Sequence, residues 1–245
     1  MKIKKAALGI FIIVSILMIT IILFETKRSS FIYSDFGVKI PANYALMGID
    51  VSNHQGDINF NEAAKMTENG DSLEFVYIKA TEGTDFCDRN FDKNAEGFAG
   101  VKLPYGFYHY FLPRESAEAQ AIYFCETVRA YHVKLRPVID IEVIEQASKA
   151  ELIDSLTHFL DRVEEILTYR PMIYTYVSFY EDYFIGSELD RELFWLASYS
   201  PTNQYMEKEN VLIWQFTDHA TVNGIGTQVD LNVAKSKFRE KVILQ

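Results

Sequence analysis

The sequence contains few cysteines, and this scarcity limits the sites that it can form. Only Cys87 and Cys125 occur among the 245 residues. They lie too far apart in the chain for a Cys-x-x-Cys metal motif. In an exported domain the two thiols are able to form a disulfide. Cys125 also falls on the apolar stripe of a predicted helix, which favours a buried free thiol. The sequence leaves both alternatives open.

Sequence signatures of several enzyme classes are absent as well. The chain has no His-Glu-x-x-His pair, no Gly-x-Ser-x-Gly motif and no glycine-rich phosphate-binding loop. These absences disfavour metal-dependent peptidases, serine esterases and nucleotide-dependent enzymes. We therefore predict a function that requires neither a metal ion nor another cofactor.

Basic residues are outnumbered, with 24 Lys and Arg against 34 Asp and Glu, and the formal net charge is −10. Beyond residue 28 the chain keeps 19 basic and 33 acidic residues, which gives −14. Such an acidic surface disfavours nucleic acid as a partner and provides no long-range attraction toward an anionic polymer. Binding to such a polymer therefore requires a local cleft.

The N-terminal segment contains one long uncharged run, from Ala6 to Phe24. A helix of this length covers about 28 Å, close to the hydrocarbon thickness of a bilayer. Three lysines precede the run and Lys27 and Arg28 follow it, so the charge bias toward a cytoplasmic N-terminus is slight. The run is longer than the core of a signal peptide, and no Ala-x-Ala site follows it.

We therefore predict that residues 1–28 form one transmembrane signal-anchor, which contacts the membrane through residues 6–24. The rest of the chain is then extracytoplasmic, in the periplasm or on the cell-wall side. Cleavage of the segment, which would give a secreted protein, is the alternative. Residues 29–43 have no clear periodicity and include Pro41, so we expect a stalk or strap. Residues 44–245 contain no repeat and no internal linker, and we expect one monomeric domain.

Eight short apolar runs in this domain are typical of strands. They are Leu46–Val51, Phe75–Ala80, Pro104–Phe111, Pro137–Ile141, Met172–Tyr176, Phe194–Ala197, Val211–Phe216 and Gln228–Leu231. Helical patterns separate the early runs; one begins with a capping box formed by Ser148 and Glu151. Such alternation indicates a parallel sheet.

After Tyr176 the spacings between runs shrink. From Ala197 to Val211 and from Phe216 to Gln228 there is hardly room for crossover helices, so we expect loops and hairpins between the last strands. The sequence therefore predicts an α/β fold, namely an irregular TIM-like barrel of eight strands with a partly antiparallel second half. In such a barrel the site lies at the carboxyl ends of the parallel strands.

Two carboxylates, Asp140 and Glu142, end the fourth run. Side chains two residues apart on a strand share a face. Repulsion between them raises the pKa of one carboxyl, and we expect this to be Glu142, while its neighbour stays ionised. A protonated acid beside a carboxylate is the arrangement that glycoside cleavage requires. By itself the pair also fits a solvated strand end or a metal ligand.

Further acids end the first and last runs, at Asp50 and Asp230. In a closed barrel the first and eighth strands are neighbours and the fourth lies opposite, so all four acids are expected to converge on one cleft. In isolation each of these two aspartates equally fits a turn cap.

Aromatic residues near the strand ends are candidates for stacking on sugar rings, namely Tyr108, Tyr110, Tyr174, Trp195 and Tyr199. Lys79 ends the second run and is interpreted as either a substrate contact or a charge partner of the acids. Glu82 is expected to be a loop acid, and His109 a hydrogen-bonded residue of the inner wall of the barrel.

Several motifs resemble, in order, those of family 25 glycoside hydrolases, the Chalaropsis-type lysozymes. The motifs are Gly48–Gly56, Tyr77–Gly83, Gly106–Tyr110, Arg136–Glu142, Pro171–Tyr176, Phe194–Tyr199, Trp214–Phe216 and Val229–Asn232. The resemblance covers nearly the whole chain beyond the predicted strap. It departs from the family pattern at Phe60, where a tryptophan is usual, and at Ala234, where a bulky aromatic is common.

This resemblance implies a (β/α)5(β)3 barrel with N-acetylmuramidase activity on the β-1,4 bond of peptidoglycan. It implies that Glu142 is the proton donor, that Asp140 assists it, and that Asp50 and Asp230 complete the catalytic acids. The implied cleft positions are Lys79, Tyr174, Trp195 and Gln215.

Two other functions fit the same residues. One is a non-catalytic glycan-binding domain, against which the retention of all four acids argues, since binding needs no proton donor. The other is a chitinase-like hydrolase of N-acetylglucosamine polymers. The sequence also leaves open whether the reaction retains or inverts configuration, whose cell wall is cut, and whether the role is remodelling or attack.

Overall fold

The computed structural model describes residues 31–42, 44–68 and 71–244. Its centre is a closed barrel of eight strands. In chain order these are β1 (Leu46–Val51), β2 (Asp71–Glu82), β3 (Tyr105–Tyr110), β4 (Val138–Asp140), β5 (Met172–Tyr176), β6 (Phe194–Ala197), β7 (Val211–Ala220) and β8 (Val229–Ala234). The predicted α/β fold with eight barrel strands is confirmed, and β1, β5 and β6 have the predicted bounds.

The strands β1 to β7 are parallel to their neighbours, and β8 alone is antiparallel, both to β7 and to β1, where it closes the barrel. The antiparallel part is therefore smaller than expected. The reason is the connection between Ala197 and Val211. There an irregular loop with the 3-10 turn Gln204–Glu207 brings the chain back to the start of the barrel strands, so that β7 pairs in parallel with β6 without a crossover helix.

Helices cover the outside of the barrel between the early strands. They are α1 (Phe60–Lys65), α2 (Phe91–Gly100), α3 (Ala117–Val128) and α4 (Lys149–Leu167), and a short α5 (Phe238–Lys241) follows the barrel. The predicted capping box begins α4: the Ser148 hydroxyl accepts from the Glu151 amide at 3.3 Å, and the Glu151 carboxylate accepts from the Ser148 amide at 2.8 Å. The apolar stripe of α4 is fully buried from Leu152 to Val163, including Leu156 and Phe159, whereas Ile166 near its end is exposed.

Alternation along the strands separates two layers of side chains. On β3, Phe107 belongs to the core between the barrel and the helices, whereas Tyr108 packs inside the barrel. The lower interior is filled by large rings such as Phe75, Tyr77 and Trp195. Because this interior is filled, the space for a ligand lies above it, at the carboxyl ends of the strands.

His109 is a buried polar residue of the barrel wall, on the side that faces the helices. Its ring nitrogens hydrogen-bond to Thr81 Oγ1 at 2.8 Å and Gln120 Oε1 at 3.1 Å, and its ring stacks on Phe159. Burial lowers the pKa of His109 to about 4. The predicted hydrogen bonding of His109 is thus confirmed, but its predicted place on the inner wall is wrong, because the side chain faces the helices and lies away from the cleft.

Both cysteines are free thiols, so the disulfide alternative is wrong. Cys125 is buried in α3, and burial raises the pKa of its thiol to about 12. Cys87 is exposed beyond the end of β2. Cys125 therefore contributes as an apolar core residue and not as a reactive group.

A short hairpin precedes the barrel, in which Phe31–Tyr33 pairs with Lys39–Pro41. At its turn Phe36 is buried, and the Phe36 carbonyl accepts from the Thr221 amide at 2.8 Å. The hairpin is therefore attached to the loop between β7 and β8. The predicted transmembrane run, residues 6–24, lies outside the described residues. Within the described ranges, no helix has the length and apolar character needed to cross a bilayer. The boundaries after residues 28 and 43 stay predictions.

Candidate active site

A cleft with a volume of about 450 Å³ opens at the carboxyl ends of the parallel strands. All ten residues predicted for the site line it: Asp50, Lys79, Tyr110, Asp140, Glu142, Tyr174, Trp195, Tyr199, Gln215 and Asp230. Tyr108 also lines the cleft, and further polar residues that the sequence did not single out are Ser52, His54, Gln55, Asp218 and Gln228. Residues from distant parts of the sequence thus share one cleft.

Asp140 and Glu142 stand at the end of β4. The strand ends at Asp140. The next residue, Ile141, is buried behind the cleft, and Glu142 follows it. The Ile141 amide donates to the Tyr174 carbonyl at 3.0 Å, so the chain continues alongside β5 after β4 ends. This continuation keeps both carboxyls on the cleft side, as the alternation of a strand requires.

One oxygen of Asp140 has no protein partner. Oδ1 is buried and accepts no hydrogen bond from any described residue. A buried acceptor without a donor is costly, so this oxygen is available to a donor from water or from a ligand.

Asp50 lies across the barrel in a network of amide side chains. Its Oδ2 accepts from Asn232 Nδ2 at 2.8 Å and from Gln215 Nε2 at 3.1 Å. Asn232 in turn accepts from the Trp195 indole at 2.8 Å, which fixes the orientation of its amide. Asn232 was part of a sequence motif, but its role as a link between Trp195 and Asp50 was not foreseen.

Gln215 joins this network to the rim of the cleft. Its Oε1 accepts from the Tyr174 hydroxyl at 2.9 Å and from the Tyr199 hydroxyl at 3.2 Å. With the oxygen occupied by two donors, the Gln215 amide nitrogen has to point at Asp50. The network therefore holds Asp50 and two cleft tyrosines in one fixed arrangement.

Lys79 is the positive charge nearest the acids of β4. Its ammonium pairs with Glu82 at 2.6 Å and lies 5.0 Å from the centre of the Tyr110 ring. Glu82, expected in a loop, is the last residue of β2. The ammonium of Lys79 also lowers the pKa values of Asp140 and Glu142, against the larger effect of burial. Lys79 is thus a charge partner that also lines the cleft.

The four acids predicted for the site, namely Asp50, Asp140, Glu142 and Asp230, have raised pKa values, and burial is the main cause. The pKa of Asp50 is raised to about 6, against the hydrogen bonds from Asn232 and Gln215. The pKa of Glu142 is also raised by burial. The pKa of Asp140 is raised well above its usual value by burial and then by the charge of Glu142.

Repulsion between the two carboxyls raises the pKa of Asp140, whereas the sequence prediction assigned this effect to Glu142. Asp140 is the more buried carboxyl, with 8% of its surface exposed, so the repulsion falls mainly on Asp140. Because the two groups interact, they titrate as a pair that keeps one proton over an extended pH range.

A buried aspartate supports the loop on the opposite side of the cleft. Asp88 accepts from the Asn53 amide at 2.9 Å, from the Asn53 side chain at 2.7 Å and from the Asn90 amide at 2.9 Å. These bonds hold the turn Asn53–Gln55, which contributes His54 and Gln55 to the cleft. No local pattern marks Asp88 in the sequence, because its partners lie up to 35 residues away.

Asp230 is opposite Asp50 in the register of β8 and β1. Burial and the charge of Asp50 raise the pKa of Asp230 to about 8, well above the value of about 3.9 in an unfolded chain. Ionisation of Asp230 therefore opposes folding. The protonated carboxyl favours the folded state at low pH, and this stabilisation is lost as the pH rises from about 3.9 to about 8.

We expect Asp230→Asn to increase the urea midpoint of unfolding at pH 9 relative to the parent protein, and this advantage to disappear by pH 4. Urea unfolding curves at both pH values test this. Asp57→Asn is the control, because Asp57 is exposed and pairs with Lys93, which lowers its pKa. An Asp230→Asn advantage that is equal at both pH values would contradict the prediction.

Within the described ranges, no group of three or more His, Cys, Asp or Glu side chains is placed to hold a metal ion. The cleft combines four acids of raised pKa with aromatic rings and amide side chains. Together with the barrel, this defines the class of carbohydrate-cleaving barrel enzymes, in which carboxyl groups act as acid and as stabiliser.

Comparison with known proteins identifies the family. Residues 49–225 match the model for glycosyl hydrolases family 25, so the chain belongs to that family, and it is a glycoside hydrolase of the muramidase type. The uncharacterized protein YegX of Escherichia coli is 36% identical over 208 residues, which cover 84% of this chain and 75% of YegX. The autolytic lysozyme of Clostridium acetobutylicum is 30% identical over 202 residues, which cover 81% of this chain and 57% of that lysozyme.

A solved structure gives the same assignment. The family 25 glycosyl hydrolase from Bacillus anthracis superposes with a TM-score of 0.72 at 25% sequence identity. The match covers 82% of this chain and 95% of that chain. The relation therefore extends over the whole barrel.

Proposed function

We propose that this protein hydrolyses peptidoglycan at the β-1,4 bond from C1 of N-acetylmuramic acid to O4 of N-acetylglucosamine. The observation that carries the proposal is the placement of Glu142 and Asp140 on one wall of a cleft whose opposite wall holds Asp50 in a fixed network. Both carboxyls of the β4 pair have raised pKa values, so a proton is present near neutral pH.

In the first step Glu142 transfers its proton to O4 while the bond between C1 and O4 breaks. The acetamido oxygen of the same muramic acid residue forms a bond to C1 and supplies the electrons that the leaving oxygen takes away. Asp140 accepts a hydrogen bond from the acetamido N–H and stabilises the positive charge that develops. Its Oδ1, which lacks a protein donor, suits this role.

In the second step a water attacks C1 and the bond from C1 to the acetamido oxygen breaks. The Glu142 carboxylate accepts the proton of that water and is restored to the acid form. The configuration at C1 is retained overall. The negative charge of Asp50, held by Asn232 and Gln215, stabilises the cation-like sugar in both steps.

The alternative chemistry is direct inversion, in which Asp50 or Asp230 activates a water on the far face of the sugar. The anomeric configuration of the first-formed product, measured by NMR, distinguishes the two. An α-anomer formed before mutarotation would reject the acetamido mechanism and would leave the muramidase assignment in place.

Mass spectrometry of borohydride-reduced fragments from purified peptidoglycan tests the substrate assignment. We expect fragments that end in reduced N-acetylmuramic acid. Fragments ending in reduced N-acetylglucosamine would reject the bond assignment, and cleavage of chitin oligomers at a comparable rate would favour the chitinase-like alternative. Binding of glycan without any release of reducing ends would favour the glycan-binding alternative.

We also propose that the protein is a monomer tethered to the membrane through residues 6–24, with its catalytic domain outside the cytoplasm. The uncharged run from Ala6 to Phe24 supports this. We expect the full-length protein to sediment with membranes and to resist extraction by alkaline carbonate. Recovery of a soluble exported chain that begins beyond Phe24, by N-terminal sequencing, would show a cleaved signal instead.

A further inference from the structure

A second cleft, with a volume of about 540 Å³, lies beside the catalytic cleft. The two share Glu142, Tyr174 and Tyr199, so Glu142 stands at the boundary between them. Asp50, Asp140 and Asp230 line the first cleft but not the second. The two clefts therefore form one groove that Glu142 divides.

This division matters for the direction of the glycan, provided that the proposed muramidase function holds. The acids that stabilise the cation at C1 lie on one side of Glu142, so the muramic acid residue occupies the first cleft. The proton of Glu142 has to reach O4 of the next sugar. That sugar therefore lies across Glu142 from the first cleft, where the second cleft provides space.

We propose that the second cleft binds the N-acetylglucosamine residue that leaves, and that the ring of Tyr176 is the surface on which this sugar packs. Tyr176 and Tyr199 are 38% and 56% exposed. Single exposed rings are common on protein surfaces, but here two exposed rings border the same cleft. Tyr176 was not among the predicted site residues.

Tyr176 is held in a fixed position relative to the proposed acid. Its hydroxyl donates to the Glu142 carbonyl at 3.0 Å, and its ring packs edge-on against Phe179 at 5.7 Å between ring centres. A ring fixed in this way binds a sugar without the loss of side-chain freedom that a mobile ring would incur.

The rest of the second cleft is polar, as a sugar rich in hydroxyl groups requires. Ser178, Ser198 and Ser200 contribute hydroxyls. Glu181 contributes a carboxylate whose Oε1 accepts from the Tyr205 hydroxyl at 2.7 Å, so this carboxylate is oriented as a hydrogen-bond acceptor. Aromatic and polar groups together fit an uncharged amino sugar.

Two ligands of different length test the proposal in the full-length protein carrying Glu142→Gln, which prevents turnover. The disaccharide with N-acetylmuramic acid at its reducing end fills the first cleft only. The peptide-free tetrasaccharide of two such units spans both clefts. We expect Tyr176→Ala to weaken tetrasaccharide binding about tenfold and to leave disaccharide binding within about twofold, as measured by calorimetry or ligand-observed NMR.

Tyr176→Phe is the matched control, because it keeps the ring and removes only the hydrogen bond to Glu142. We expect it to bind the disaccharide as the parent does and to keep most of the affinity for the tetrasaccharide, because the ring remains packed against Phe179. Equal losses for both ligands in Tyr176→Ala, no loss for either, or the same loss in Tyr176→Phe would each overturn the proposal. Failure of the wild-type protein to cleave the tetrasaccharide would instead reject the proposed function itself.

Discussion

Replacing Glu142 by glutamine is expected to lower the rate of peptidoglycan hydrolysis by about 10²–10⁴-fold, the usual contribution of a general acid. Glutamine keeps the shape of the side chain but carries no transferable proton. The cleft should otherwise be preserved, because Glu142 is not part of the apolar core and the oxygen of a glutamine can still accept from Tyr174. The release of reducing ends from purified peptidoglycan measures the effect.

Glu145→Gln is a control for this change. Glu145 lies three positions further along the same loop, accepts from the Arg114 amide at 2.9 Å and lines neither cleft. We expect its activity to remain within about twofold of the wild type, as for a substitution away from the reacting atoms. Near-wild-type activity of Glu142→Gln would show that another group donates the proton.

Asp140→Asn is expected to change both the rate and the pH profile. The rate should fall by about 10²–10³-fold, the usual effect of removing one group that stabilises developing charge. In the wild type the alkaline limb reports loss of the last proton of the Asp140 and Glu142 pair, and burial together with their repulsion raises that pKa. In the variant only Glu142 remains, and its pKa is raised by burial alone.

The alkaline limb of Asp140→Asn should therefore move to lower pH. Initial rates of reducing-end release between pH 4 and pH 9 locate the limb in both proteins. An alkaline limb that stayed in place, or moved to higher pH, would mean that Asp140 does not raise the pKa of the proton-donating pair. The role of Asp140 would then be confined to contact with the substrate.

Local sequence patterns located the eight barrel strands and the helices between the early strands, but not the hairpin of Phe31–Tyr33 and Lys39–Pro41. The capping box at Ser148 and the apolar stripe that follows it predict α4, and the short apolar runs predict the eight strands. The acids, Lys79 and the aromatic candidates followed from these elements, because the residues at the strand ends lie at one end of a barrel. Gln215 was implied only by the resemblance to family 25 glycoside hydrolases. All ten line the observed cleft, and their catalytic and binding roles stay predictions.

Strand direction in the second half of the barrel was decided by tertiary packing. A short connection after Phe194–Ala197 suggested a hairpin, yet β7 pairs with β6 in parallel. The loop is long enough to return along the outside of the barrel, and nothing local to its sequence distinguishes that path from a hairpin. The closed barrel requires the parallel path, because β8 pairs antiparallel with both β7 and β1.

The sequence by itself determined which acids stand at the strand ends, because the period of a strand assigns each side chain to a face. Only the tertiary structure decided their environment. Asn232 donates to Asp50 across 182 positions of sequence, and Tyr176 borders a second cleft beside Glu142. Burial, which sets the order of the pKa values of Asp140 and Glu142, depends on all the surrounding elements and therefore exists only in the folded chain.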